Sequence, residues 1–455
     1  MSDENGGRNI FSVFRYPAFR WIWLGALVSN IGNWMEAVGQ GWLVQQQTSS
    51  PFFVELLAAS EFVPHAVLML FAGWLADHYD RRKLLLWGQV TMMLLGAVLA
   101  VATHLGLATP WVIIGLAFAE GAAWAAVTPA WQSIVPALVP RDELPHAIAL
   151  NSAQFNTARL VGPMLAGVLL TASGAWLVFD LNVLSFVGIV AVLVLVRVPG
   201  AAARPTTGGK LREGGGVGTA LRWALHEKGP RRLILGLFMF ALFAAPVQGL
   251  LPSYAAEVQH IGAHGYGLLL ACFGFGAVAG ALTLARLPAV YPRHHLIPLS
   301  MLGFCLCAMV YGMAPNAIIA GGALLVGGVL WVWALASSST AMQLLVPDEL
   351  RGRAMSVLAL ATTGPLPLGH LIGGTLAHAF GVRAAIVTGS GLLALFSLWN
   401  LWYREAAIDR MEPDLSPPQP RGLRAMVWEA MTGSSHRAQE VEPGVPPGSA
   451  EPVED

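Results

Sequence analysis

Long apolar segments separated by short polar stretches are the main pattern along this chain. A helix that crosses the hydrocarbon core of a membrane needs roughly 20 predominantly apolar residues. Open strands cannot cross, because lipid leaves their backbone groups without hydrogen-bond partners. The pattern therefore predicts an all-α membrane protein. Windows of this length give twelve transmembrane helices, at about 19–44, 52–76, 84–104, 110–137, 145–172, 175–196, 232–256, 265–285, 295–313, 316–345, 354–380 and 384–403.

The basic residues collect in every second connecting segment. If the N-terminus is cytoplasmic, 24 of the 26 lysines and arginines lie on the cytoplasmic side, whereas Arg383 lies outside and Arg159 lies within a helix. Cytoplasmic loops of membrane proteins are rich in Lys and Arg. The distribution therefore predicts a multi-pass membrane protein with twelve helices and both termini in the cytoplasm.

An internal repeat relates the two halves of the chain. A shift of 207 residues aligns three pairs of glycines: Gly162 with Gly369, Gly167 with Gly374 and Gly174 with Gly381. Two similar bundles suit alternating access, in which the halves rock about a site at the membrane midplane. The predicted organisation is a cytoplasmic N-terminal segment (1–18), an N-terminal six-helix bundle (19–198), a cytoplasmic linker (199–230), a C-terminal six-helix bundle (231–404) and a disordered cytoplasmic tail (405–455).

Composition excludes several classes of function. Of the 455 residues, 55% are hydrophobic and 11% are charged, against roughly 25% charged in soluble domains. The formal net charge is zero, so bulk charge gives no reason to expect nucleic-acid binding. The three cysteines lie in apolar runs and are typical of a core. The sequence has no phosphate-binding loop with its lysine, no metal-ligand spacing and no nucleophile elbow. We therefore expect neither an enzyme nor a bound metal or cofactor.

One loop carries a family signature. The segment GWLADHYDRRK, from Gly73 to Lys83, resembles the loop between helices two and three of the major facilitator superfamily, which has two six-helix halves. The resemblance implies that Gly73 allows close helix contact. It also implies that Asp77 engages the N-terminal end of helix eleven and the neighbouring basic residues Arg81 and Arg82, closing the cytoplasmic side. The alternative is that these arginines only anchor the topology.

A second stretch points to one branch of that superfamily. The segment LVPRDEL, from Leu138 to Leu144, and the later ARLVGPMLAG, from Ala158 to Gly167, resemble the branch that holds enterobactin-exporter-like and macrolide-efflux-like proteins. The resemblance implies a drug:proton antiporter of the cell inner (plasma) membrane that works by efflux.

Four ionisable residues interrupt the predicted helices near mid-depth. Glu36, Glu61 and Glu120 lie nine or ten residues from the predicted outer ends, which is roughly 14 Å at 1.5 Å per residue. Arg159 lies at a similar depth. Charges inside a membrane mark functional sites, so we expect a polar cavity in which one acid pairs with Arg159 and another exchanges protons. A static hydrogen-bonded network between helices is the alternative, and His65 is close enough to Glu61 to bond it.

Glu36 is the leading proton carrier in this interpretation, with Trp34 and Gln40 beside it on a helix that lines the cavity centre in the family. Asp180, Glu257 and His370 are weaker candidates. The tryptophans of two predicted helices offer walls for a flat apolar substrate or packing alone; they are Trp124, Trp131, Trp331 and Trp333.

The sequence thus predicts a monomeric secondary transporter that exports an amphipathic organic solute, drug-like or a siderophore, in exchange for protons. Its expected partners are a small-molecule substrate, protons and the lipid bilayer. A lysophospholipid or lipid flippase on the same fold is the near alternative. A transporter-like sensor that no longer transports is the distant one, and the intramembrane acids argue against it.

Overall fold

The computed structural model describes residues 10–196, 217–284, 286, 293–347 and 350–402, and within them the chain is helical. Short 3₁₀ segments occur at Ile10–Arg15 and Val135–Ala137, and a π-helical turn occurs at Tyr254–Val258. The α-helices are α1 (Pro17–Thr48), α2 (Pro51–His78), α3 (Arg81–His104), α4 (Pro110–Ile134), α5 (Leu144–Ala172), α6 (Ala175–Leu195), α7 (Val217–His226), α8 (Lys228–Gly249), α9 (Leu251–Ser253), α10 (Gly262–Leu284), α11 (Arg293–Met313), α12 (Ala317–Leu345), α13 (Arg351–Thr363), α14 (Leu366–Phe380) and α15 (Val382–Trp402).

Eleven helical spans in the described residues are long and apolar enough to cross a membrane, one fewer than predicted. Three of them are composite: α4 continues into the 3₁₀ segment Val135–Ala137, α8, α9 and the π-helical turn form one continuous span, and α13 with α14 forms another. The 32-residue α1 is not among the eleven. Four polar residues of α1 line an internal cavity: Asn30, Asn33, Glu36 and Gln40. These side chains lower the mean hydropathy of the helix.

Two outcomes concern the predicted connecting segments. The second part of the predicted linker is helical, because α7 lies within it. The predicted disordered tail, from residue 405 onward, lies outside the described residues.

The outer surface of the bundle is apolar. Large hydrophobic side chains there are widely exposed, including Leu195 at 79%, Ile318 at 85% and Phe380 at 73%. Soluble monomers rarely expose contiguous apolar surface on this scale. The exterior is therefore suited to lipid, and the polar residues turn inward.

Contacts between loops define the two ends of the bundle. At one end, called here the α1–α2 end, Gln47 donates a hydrogen bond to the carbonyl of Ala108 at 2.9 Å, and Gln259 donates one to the carbonyl of Ala314 at 2.9 Å. The first pair joins the end of α1 to the α3–α4 loop, and the second joins the π-helical turn to the α11–α12 loop. A hydrogen bond from Gln45, near the end of α1, to Glu257 in the π-helical turn links the two pairs. The loops that follow α1, α3 and α11 therefore lie at the same end.

The opposite end, called the α2–α3 end, is anchored by the N-terminal segment. The buried Glu143, just before α5, accepts hydrogen bonds from the Ser12 hydroxyl and from Arg15, each at 2.7 Å. The pKa of the Glu143 carboxyl lies below its usual value, chiefly because the Ser12 hydroxyl donates a hydrogen bond to the carboxylate. His146 and Arg15 lower this pKa further. Glu143 therefore ties the chain before α1 to the start of α5.

The glycine repeat has a structural basis. Gly162 on α5 lies against the backbone of α1, and its repeat partner Gly369 on α14 lies against the backbone of α8. These are equivalent close approaches within each half. Gly167 and Gly374 instead face the other half: Gly167 meets α10 and Gly374 meets α2. A side chain at any of the four would force two helices apart.

The third glycine pair ends the repeated helices. Gly174 follows α5 with a φ of 89°, and Gly381 follows α14 with a φ of 87°. Residues with a β-carbon rarely adopt this region, so both helices end at the same kind of turn. The repeat seen in the sequence is therefore a pseudosymmetry of the fold.

Candidate functional site

A cavity of about 450 Å³ lies between the N-terminal half (α1–α6) and the C-terminal half (α8–α15). All six residues predicted for the cavity line it: Trp34, Glu36 and Gln40 on α1, Glu61 on α2, Glu120 on α4 and Arg159 on α5. The C-terminal half adds a wall that includes Gln248, Tyr266, Trp331 and His370. The N-terminal half thus supplies the acids, while both halves supply the aromatic surface.

Glu36 is held by the neighbouring helix α6. Its carboxylate is 5% exposed, and its Oε2 atom accepts a hydrogen bond from the Asn182 side-chain amide. Its Oε1 atom is buried without a hydrogen-bond partner among the described residues. Gly32, one turn earlier on α1, leaves the space that Asn182 and Ser185 occupy. One oxygen of Glu36 is therefore positioned and the other remains available.

Glu120 has the same asymmetry. Gln40 donates a hydrogen bond to its Oε2 atom at 3.1 Å, while its Oε1 atom is buried with no partner in the described chain. The carboxyl groups of Glu36, Glu61 and Glu120 all line the same cavity. Carboxylates that share a site repel one another when all are ionised.

Glu61 and His65 do not form the hydrogen bond that their spacing suggested. The Nδ1 atom of His65 is buried without a partner among the described side chains, and its ring stacks on Trp124 with centroids 4.5 Å apart. The backbone carbonyl oxygen of Glu61 is only 2.1 Å from the position that a β-carbon on residue 121 would take, and Gly121 leaves that position empty. Glu61 is thus on a tight contact between α2 and α4 and faces the cavity.

Within the described part of the chain Arg159 pairs with no acid, contrary to the prediction. Among the described residues it donates one hydrogen bond, from Nη2 to Oε1 of Gln248 on α8, at 3.2 Å. Its guanidinium carbon lies 5.5 Å from the ring centroid of Trp34 and 5.4 Å from that of Phe273. Aromatic faces and a neutral amide therefore take the place of the expected carboxylate, and Arg159 joins the two halves.

A buried acid that the sequence interpretation did not select pairs across the halves. Glu55, one turn inside α2, is 0% exposed and contacts Nδ1 of His370 on α14, which is 5% exposed. The Oε1 atom of Glu55 has no partner in the described chain, and Gly249 and Gly374 pack directly against this side chain. Glu55 lies only four residues from the start of its helix, and nothing in the sequence around it indicates that it is buried.

Other polar contacts between the halves also lie toward the α1–α2 end. Gln45 on α1 donates a hydrogen bond to Glu257 at 2.7 Å and accepts one from the Ser253 hydroxyl at 2.5 Å. Trp42 stacks on Tyr266 with centroids 6.2 Å apart. Together with the Glu55–His370 pair, these contacts close the halves over the cavity at the α1–α2 end.

The predicted gating loop is described only in part. Gly73 lies within α2, and the side chain of Asp77 lies outside the described part of the chain. Arg82 donates two hydrogen bonds of 2.7 Å to the carbonyls of Leu193 and Val194 at the C-terminal end of α6. A cation there satisfies the last carbonyl groups and complements the negative end of the helix dipole. Arg82 therefore acts at least as an anchor between α3 and α6.

The weaker candidates fall into separate environments. Asp180 contacts His104 at 3.0 Å near the α1–α2 end, away from the cavity.

Trp124 and Trp331 line the cavity, whereas Trp131 packs in an apolar cluster of the N-terminal half and the indole N–H of Trp333 donates a hydrogen bond to the carbonyl of Gly280. The three cysteines are free. No group of three metal-ligating side chains occurs in the described part of the chain.

Solved structures show the same fold. A bacterial homologue of the human lysosomal transporter Spinster, in an inward-facing and unoccupied conformation, superimposes with a TM-score of 0.67 over 89% of this chain and 99% of that one, at 14% identity. The nucleoside transporter NupG superimposes with a TM-score of 0.64 over 85% of this chain and 100% of that one, at 13% identity. These likenesses support the two-half architecture.

Sequence relatives cover most of the chain. The enterobactin exporter EntS of Citrobacter koseri is 27% identical over 92% of this chain and 100% of its own length. The staphyloferrin A transporter of Staphylococcus aureus is 26% identical over 77% of this chain and 87% of its own length. The family model of transmembrane secretion effectors matches residues 9–427. The chain belongs to this family within the major facilitator superfamily and is therefore a multi-pass membrane transporter and not an enzyme.

Proposed function

We propose that this protein exports an amphipathic organic solute of siderophore or drug-like type in exchange for protons, by alternating access. The observation that carries the proposal is the cavity between the halves, which has three acids on one side and a wall of aromatic side chains. The similarity to an enterobactin exporter and a staphyloferrin A transporter favours a siderophore-like cargo.

Alternating access is supported by the uneven distribution of contacts. The buried Glu55–His370 pair and the hydrogen bonds of Gln45 hold the halves together at the α1–α2 end. A cavity closed by breakable polar contacts at one end suits a protein in which two halves rock about a central site. We infer that these contacts break when the α1–α2 end opens.

The proposed topology counts α1 as the twelfth span, with both termini in the cytoplasm. At 32 residues α1 is long enough to cross a bilayer, and its polar residues face the cavity rather than lipid. The α1–α2 end is then extracellular. In a chain without native cysteines, a membrane-impermeant thiol reagent should label cysteines at Ser49 and Thr109 in intact cells but not at Arg141. Labelling at Arg141 and not at the other two would invert the orientation.

Proton exchange is assigned to the acidic side of the cavity. Glu36 and Glu120 each keep one oxygen fixed by an amide and one buried oxygen without a partner. Uptake of a proton removes repulsion between them and supplies an O–H donor to an unsatisfied oxygen. We propose that Glu36 carries the exchanged proton, because it lies on α1 between the cavity and α6.

The test is transport into everted membrane vesicles with and without a pH gradient, using enterobactin and staphyloferrin A as cargoes and a fluorescent lysophospholipid as the comparison. Glu36→Gln mimics the protonated carboxyl at nearly the same volume. It should fold and bind cargo but lose accumulation driven by the gradient, whereas Asp180→Asn, away from the cavity, should behave like the wild type. Loss of coupling only in Glu61→Gln or Glu120→Gln would assign the proton to that acid. Coupling that survives all three substitutions would refute proton exchange at this cluster.

A further inference from the structure

Arg159 has hydrogen-bonding capacity that the protein itself does not use. A guanidinium group has five N–H donors and no acceptor. Among the described residues only one bond is made, the 3.2 Å contact from Nη2 to the side-chain oxygen of Gln248. Because Arg159 lines the cavity, its remaining donors are accessible to a solute.

The surroundings of Arg159 leave its charge uncompensated. The described residues place no carboxylate within ion-pair distance of it. The carboxylates of Glu36 and Glu120 instead accept hydrogen bonds from Asn182 and Gln40. A cation removed from water is costly unless it is paired. Contacts to the rings of Trp34 and Phe273 offset part of that cost, but they do not neutralise the charge.

The geometry selects a planar anionic group. The guanidinium carbon lies 5.5 Å and 5.4 Å from the centroids of the Trp34 and Phe273 rings. The N–H groups of Nε and Nη1 donate to no acceptor among the described residues, so this edge of the guanidinium can bind a ligand. That edge matches the two oxygens of a carboxylate. Beside it, Trp34 forms an edge-to-face pair with Phe155, with centroids 6.1 Å apart, and both line the cavity. A carboxylate joined to a flat apolar body would fill both features.

We propose that Arg159, Gln248 and the ring of Trp34 form an anion subsite for the carboxylate of an aromatic or otherwise flat cargo. Arg159 supplies the charge and two donors, and Gln248 holds the guanidinium edge in place. The subsite is made by both halves, since Arg159 and Trp34 lie on α5 and α1 while Gln248 lies on α8. The bound anion therefore contacts elements that move apart during transport.

The proposal rests on the proposed transport function, but its test does not require transport. Binding of 2-naphthoate and of its uncharged analogue 2-naphthamide is measured at equilibrium by calorimetry, with the protein in nanodiscs and empty nanodiscs as the blank. No gradient is present, so failure of proton coupling cannot affect the result. Charge-assisted hydrogen bonds correspond to a roughly ten- to hundredfold preference for the carboxylate. Equal binding of the two probes by the wild type would overturn the subsite.

Three variants assign the preference to Arg159. Arg159→Gln should abolish it, and Arg159→Lys should keep only part of it, because a lysine lacks the planar fork. Gln248→Glu places an internal carboxylate on the guanidinium and should abolish the preference without removing the cation. The matched control is Gln343→Glu, the same change at an exposed position outside the cavity, which should bind like the wild type. A preference that persists in both Arg159→Gln and Gln248→Glu would place the anion at another group and refute the assignment.

Discussion

Replacement of His370 by alanine should weaken closure of the α1–α2 end, because it leaves the Glu55 carboxyl buried without its partner. Glu55 is 0% exposed in the closed arrangement, and its other oxygen already lacks a hydrogen bond among the described residues. The side chain is enclosed by Gly249 and Gly374, which allow close approach of α8 and α14. When the halves separate, the same carboxyl becomes accessible to water. The substitution therefore penalises the closed arrangement selectively.

The magnitude follows from the burial of the pair. Loss of one partner of a buried ion pair costs roughly 3–5 kcal/mol, whereas a buried neutral group left without its hydrogen bond costs about 1–3 kcal/mol. At about 1.4 kcal/mol per tenfold change, even a neutral pair predicts a shift of about fivefold or more toward the open arrangement. A charged pair predicts a shift of roughly two orders of magnitude or more.

The assay is electron–electron distance measurement between spin labels across the α1–α2 end. Labels at Ser49, after α1, and Arg383, at the start of α15, are both exposed and lie on different halves. The chain would first lose its three native cysteines. His370→Ala should increase the population with long distances. The matched control is His378→Ala on the same helix, since His378 is exposed and its removal should leave the distribution unchanged.

A double substitution separates the pair from its surroundings. In Glu55→Gln/His370→Gln, two neutral amides replace the pair, so no charge remains buried and a hydrogen bond is still available. This variant should close more completely than His370→Ala. A wild-type distance distribution in His370→Ala would show that the Glu55–His370 pair does not hold this end closed. If the double variant opens as far as His370→Ala, loss of packing and not a buried unpaired carboxyl would explain the opening.

Three further predictions concern other parts of the molecule. The folded-state pKa of Glu143 lies below its unfolded value, so its contribution to stability is present at neutral pH and is lost as the pH falls below about 4. The melting-temperature difference between wild type and Glu143→Gln should therefore shrink over that range. A constant difference would show that the Glu143 carboxylate does not stabilise the fold. Gly374→Ala places a β-carbon 2.7 Å from Glu55 and should disfavour closure by about 1–3 kcal/mol in the same distance assay, unlike Gly322→Ala, which meets nothing within 4 Å. Asp77→Asn should reduce transport at near-normal expression and increase accessibility of cytoplasmic-side cysteines to thiol reagents; unchanged accessibility would reduce the signature loop to a topology anchor.

The sequence by itself determined the helical architecture. Long apolar segments separated by short polar stretches are local properties of the chain, and they can be recognised without knowing how the helices pack. It also showed the duplication: the aligned glycines Gly162 and Gly369 occupy equivalent helix contacts in the two halves. The deep acids were visible for the same reason, since a glutamate such as Glu36 stands out within an apolar run. The exception is α1, whose cavity-lining polar residues lower its hydropathy, so that composition alone does not place it among the described spans.

Only the tertiary structure decided which polar groups meet. Glu55 and His370 are 315 residues apart in sequence, and neither carries a local sign of its partner. The same holds for Arg159, whose contact with Gln248 on the other half replaced the carboxylate that charge balance suggested. Pairing within a membrane depends on which helix faces come together and at what depth, and those depend on the packing of both halves at once. The sequence therefore identified the chemical groups of the cavity, while the packing of the two halves assigned their partners.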